Sequence, residues 1–60
     1  MVLDEIVRIH TDLVDKGIFP KRVYLHKEDA LRLYEELDRQ VLKIHTLTII
    51  ITNKHGIWCD

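Results

Sequence analysis

Few residues in this chain could make or break covalent bonds. There is one cysteine, Cys59, and there are four histidines, His10, His26, His45 and His55; serine is absent. Without serine, a Ser-His-Asp arrangement is impossible. A cysteine nucleophile needs a neighbouring base to make its thiolate. His55 precedes Cys59 by four positions, but a turn and part of a strand lie between them, and strand alternation points Cys59 at the core. The histidines are scattered, with no i, i+4 pair on one helix, whereas a zinc site needs four convergent ligands. No Gly-rich phosphate loop, nucleophile elbow or H-E-x-x-H is present. The expectation is a protein that is not an enzyme, with no cofactor and no metal.

The residues suited to recognition sit in two short stretches. Arg22, Tyr24 and His26 alternate along KRVYLHK, and Trp58 stands in IWCD. Aromatics interleaved with basic residues can stack single-stranded bases. The same types anchor protein contacts, where Trp, Tyr and Arg dominate. A net charge of −1 argues against wrapping nucleic acid by bulk electrostatics, but leaves room for a small basic patch.

Five pieces must position these residues. Residues 3–16 have helical periodicity, with Val2, Leu3, Ile6, Val7, Ile9, His10, Leu13 and Val14 on one side, an arc of roughly 160°. A helix on a small sheet needs only about 100°. The excess predicts a second contact, with the other helix or with another chain. His10 lies near the middle of that arc, either as a packing histidine or as a polar element where two copies meet, its charge tuning association. Pro20 makes residues 18–21 an extended connector, with Phe19 expected under the edge of the core. Residues 22–26 alternate as a strand, Val23 and Leu25 inward. Residues 28–42 form a second helix with a stripe of Ala30, Leu33, Tyr34, Leu37 and Val41; Leu31 and Leu42 make a smaller patch on its flank.

The last piece, TLTIIITNKHGIWCD, reads as a hairpin turning at Asn53 to Gly56. Its simplest register sets Thr52 opposite Trp58, Ile51 opposite Cys59 and Asn53 opposite Ile57. Leu47, Ile49, Ile51, Ile57 and Cys59 then face the core. Ile50 and Trp58 are left together on the far side. A slip of one residue would reverse every assignment.

The order α-β-α-β-β predicts an α+β fold of one domain, residues 1–60. Two helices lie on one face of a small three-stranded mixed sheet that ends in the C-terminal hairpin. Its other face carries Arg22, Tyr24, His26, Thr46, Thr48, Ile50, Thr52 and Trp58, with nothing left in the chain to cover it. A domain this small buries only about 60% of its unfolded surface, and one cysteine gives it no disulfide, which favours a homodimer. The apolar runs are far too short to cross a membrane, and acidic residues stand where a signal peptide has basic ones, so a cytoplasmic location is expected.

The stretch FPKRVYLHKEDALRLYEEL, with P-x-x-V-Y-L before a charged helix start, resembles small uncharacterised proteins encoded by bacteriophages and other mobile elements. The resemblance implies a regulator that binds a host or phage protein such as a transcription factor, polymerase or repair protein. It carries over no functional residues. The expectation is thus a non-catalytic adaptor or modulator acting through protein contact, whose partner could itself be a DNA-binding protein. Its candidate contacts are Tyr24, Ile50, Trp58, Arg22 and His26, with Leu31, Leu42 and His10 for a second surface. The alternative is a small nucleic-acid-binding module using Arg22, Tyr24, His26, Lys54 and Trp58.

Overall fold

The computed structural model describes residues 1–60. The elements are α1 (Val2–Asp15), β1 (Arg22–His26), α2 (Lys27–Leu37), β2 (Lys43–Ile44), β3 (Leu47–Thr52) and β4 (Ile57–Cys59). The fold is α+β, with both helices packed on one face of a mixed sheet.

α1 has no side-chain cap of its own. Its first N–H groups are met from α2, where the Glu36 carboxylate accepts from Val2 at 2.8 Å and Leu3 at 3.1 Å. A carboxylate there also complements the helix dipole. α1 ends in a Schellman motif: Gly17 donates to Val14 O and Ile18 to Leu13 O, both at 2.9 Å, and Gly17 sits at φ 82. α2 ends in the same way, at Leu37, five residues before Leu42. Asp38 takes a left-handed φ of 57, and Arg39 donates to Tyr34 O at 3.1 Å. The expected helix therefore stops early. Apolar periodicity continues past Leu37, but Asp tolerates the left-handed conformation and closes the helix there. Val41 and Leu42 fall in the link to β2, where Leu42 is 84% exposed.

The sheet has four strands rather than three, in the order β2-β3-β1-β4. The added strand is β2, which pairs antiparallel with β3 (Lys43 opposite Thr48, Ile44 opposite Leu47) across a two-residue turn with His45 at φ 53. β1 and β3, joined through α2, are parallel, with Val23 opposite Ile49 and Tyr24 opposite Ile50. The chain reverses between β3 and β4 as expected of the C-terminal hairpin, but its arms straddle β1 instead of pairing. β4 runs antiparallel to β1, with Tyr24 opposite Trp58 and Val23 opposite Cys59. The register setting Thr52 against Trp58 is thus replaced. Residues 53–56 bridge two strand spacings, about 10 Å, which four residues of chain reach easily. Splitting the arms gives β1 a hydrogen-bonded neighbour on each side.

The core is Val2 and Ile6 of α1, Val23 and Leu25 of β1, Ala30 and Leu33 of α2, and Leu47 of β3. Ile49, Ile57 and Cys59 pack against it from the same sheet face. The wide apolar arc of α1 is used within the chain in part: Val2 and Ile6 are buried and the helix packs against α2 and β4, while Val7 is exposed and Ile9, His10, Leu13 and Val14 are half-buried. Two expected core residues lie outside. Phe19 is exposed while Pro20 beside it is buried, and Ile51, at the far end of β3, is 54% exposed.

Candidate functional site

No helix or strand covers the face of the sheet away from the helices; only its His26 end lies under the β3–β4 loop. Strand alternation puts Arg22, Tyr24, Thr48, Ile50, Thr52 and Trp58 on it. The central feature is a row across three strands, Ile50 on β3, Tyr24 on β1 and Trp58 on β4, each directly opposite the next. Ile50 and Trp58 do not stand side by side; Tyr24 lies between them. The Tyr24 and Trp58 rings stack with centroids 5.1 Å apart and planes within 8°. That spacing matches the separation of neighbouring strands.

Asp60 fixes the middle of this row, at Tyr24. Its carboxylate accepts from Arg22 Nε at 3.0 Å through one oxygen and from the Tyr24 hydroxyl at 3.0 Å through the other. The hydrogen bond to Asp60, followed by desolvation, holds the Tyr24 phenol above its usual pKa. Asp60 was not among the sequence candidates. Its signal was there, since a period of two puts it on the same face as Trp58.

His26 belongs to a different arrangement. It is 7% exposed and is not presented as a contact. Its Nδ1 accepts from the Glu28 N–H at 3.2 Å, capping α2, and its ring stacks on His55 at 4.1 Å. The reason is the strand order. The loop from β3 to β4 crosses the end of β1, where His26 sits, and lays His55 over it. His10 and His45 form a second stack, with centroids 6.1 Å apart, so the half-buried His10 lies against the β2–β3 turn of its own chain. Imidazole lone pairs lie in the ring plane, so two rings in parallel stacked planes do not converge on one ion. Burial, then the charge of Asp60, pushes the Cys59 thiol up and disfavours its thiolate.

Of the second-surface candidates, Leu31 is 59% exposed on α2 and Leu42 lies in the α2–β2 link. They are not brought to the Ile50–Tyr24–Trp58 row. Lys54 is exposed in the β3–β4 loop, where its N–H donates to Thr52 Oγ1 at 3.1 Å. No helix is long and apolar enough to cross a membrane. No family model, curated protein or solved structure matches the chain.

Proposed function

We propose that the protein is a small non-catalytic adaptor or modulator that works by protein–protein contact. The observation that carries this reading is the continuous Ile50–Tyr24–Trp58 row on a sheet face that no helix or strand covers. An aromatic pair already stacked and tethered by Asp60 loses little side-chain freedom on binding, which is what a contact anchor needs. A phage-type regulator of a host transcription factor, polymerase or repair protein fits the resemblance of the central stretch. A homodimer using a second surface at Leu31 and Leu42 or along α1 belongs to the same proposal.

Nucleic acid is less well served by this face. Arg22, its nearest cation, is engaged by Asp60. One face of the Tyr24 ring is taken by Trp58, and Ile50 stands on its other side, so few aromatic faces remain for bases.

The test is capture of partners from the native host with the wild-type protein and with Ile50→Thr, which matches the neighbouring threonines and leaves the core alone. The partner identified with wild type should bind Ile50→Thr at least about ten-fold more weakly. Its affinity should fall little between low and high salt. A steep linear loss of log affinity with log salt would instead identify a nucleic-acid binder. Sedimentation tests the dimer; a monomer at high micromolar concentration rules it out.

A further inference from the structure

β3 is longer than the strand beside it. β2 pairs only with Leu47 and Thr48, and one more bond, Ile49 N–H to Leu42 O at 3.0 Å, extends that ladder. Backbone groups alternate along a strand. Thr48 donates to Lys21 O on the β1 side at 2.9 Å, so Ile50 and Thr52 also turn to β1, while Ile49 and Ile51 turn outward. The β2–β3 register would bring Gln40 opposite Ile51, but no backbone bond joins them. The N–H and C=O of Ile51 therefore face an open sheet edge.

At the same place the chain swings away from the sheet. It leaves a concavity of about 370 Å³ lined by Tyr34, Gln40, Val41, Leu42 and Ile51. An unpaired strand edge beside an apolar hollow is the combination used in strand addition, where main-chain bonds supply affinity and alternate side chains fill pockets. The opposite edge, β4, is only three residues long and has no such hollow.

The charge at this edge selects the occupant. Residues 39–59 include Arg39, Lys43 and Lys54 and no aspartate or glutamate. All three cations are exposed, and none is in an ion pair. Arg39 and Lys43 flank the stretch lining the hollow, and Lys54 follows the far end of β3. Glu35, on α2, and Asp38, at its C-cap, are exposed near Tyr34 and Gln40, which leaves the three cations in excess of two anions. A second copy docked edge to edge about a two-fold axis would bring the same cations together, which disfavours self-pairing.

We infer that the open end of β3, at Ile51, is a strand-addition site for an extended peptide with alternating apolar side chains and acidic residues at its ends. Its backbone pairs with Ile51, an apolar side chain enters the hollow, and its acidic ends meet Arg39, Lys43 and Lys54. The site is independent of the Ile50–Tyr24–Trp58 row.

The probe is the capped peptide DTVTVTVD, with KTVTVTVK as the charge-reversed control. Amide hydrogen exchange of the full chain should slow at Ile51 when DTVTVTVD is added. DTVTVTVD should bind at least about ten-fold more tightly than KTVTVTVK. Leu42→Asp, at a position too exposed to disturb the core, should weaken DTVTVTVD by about ten-fold. Ile50→Thr should leave it unchanged, which separates this site from the proposed contact face. Unchanged Ile51 exchange at millimolar DTVTVTVD overturns the inference, as does equal binding of the two peptides. Slowing that follows protein concentration without peptide also overturns it, because a second copy then holds the edge.

Discussion

The placement of β4 against β1 can be tested by a single cysteine. Arg22 and Asp60 exchange both backbone bonds, at 3.1 and 3.0 Å, which makes them a hydrogen-bonded antiparallel pair. The next pair, Val23 and Cys59, is therefore a non-hydrogen-bonded one. Such pairs have Cα atoms about 4.5 Å apart, within the range a disulfide spans. Val23→Cys should form a disulfide with the native Cys59 on mild oxidation. The closed loop of roughly 36 residues is worth about 4 kcal/mol by chain entropy. Trimming the buried Val23 costs about 1 kcal/mol, so the reduced variant should be slightly less stable than wild type. Against its own reduced form, the oxidised variant should melt roughly 15–30 °C higher. Intact mass and thiol titration report closure, and thermal melts with and without reductant report the gain. Ile51→Cys is the counter-test. If β3 and β4 paired as a simple hairpin, Ile51 would face Cys59 and that variant would close instead. With β1 between them, their Cα atoms lie about 10 Å apart or more, too far to bridge. Closure of Ile51→Cys with Val23→Cys left reduced would refute the strand order.

Three further outcomes follow from the same geometry. The N–H groups of Val2 and then Leu3 hold the Glu36 carboxyl below its usual pKa, so its stabilisation is present above the unfolded-state pKa and is lost as pH falls through the folded-state value. Glu36→Gln should thus lower the urea midpoint at neutral pH and flatten the loss of stability on acidification. Leu33→Ala, fully buried, should cost about 2–5 kcal/mol, a large part of the stability of a 60-residue domain, whereas Leu42→Ala should change it by less than about 0.5 kcal/mol; urea titration of both variants compares them. Asp38→Gly relieves a left-handed φ and removes a negative charge from a helix C-terminus, and should raise stability by up to about 1 kcal/mol in the same assay.

Local patterns were readable without coordinates. The arc of α1, the alternation of Val23 and Leu25 and the stripe of Ala30 and Leu33 depend only on the periods 3.6 and 2, which side-chain geometry imposes wherever the chain runs. From them follow the two helices on one sheet face and the uncovered face bearing Tyr24, Ile50 and Trp58. The end of α2 was not readable, because apolar periodicity continues past Leu37 while the stop depends on one residue, Asp38, adopting a left-handed conformation. Strand order was not readable either. The alternation of residues 57–59 says which way each side chain points, but not which strand lies beside them. That choice belongs to tertiary structure, since it depends on how far residues 53–56 reach and on β1 having a free edge. It set Tyr24 between Ile50 and Trp58, brought Asp60 to Arg22 and Tyr24, and buried His26 under His55. The sequence by itself determined the faces; the pairing of distant strands decided which residues on those faces became neighbours, because hydrogen-bonded strands recognise one another by backbone groups that every residue shares.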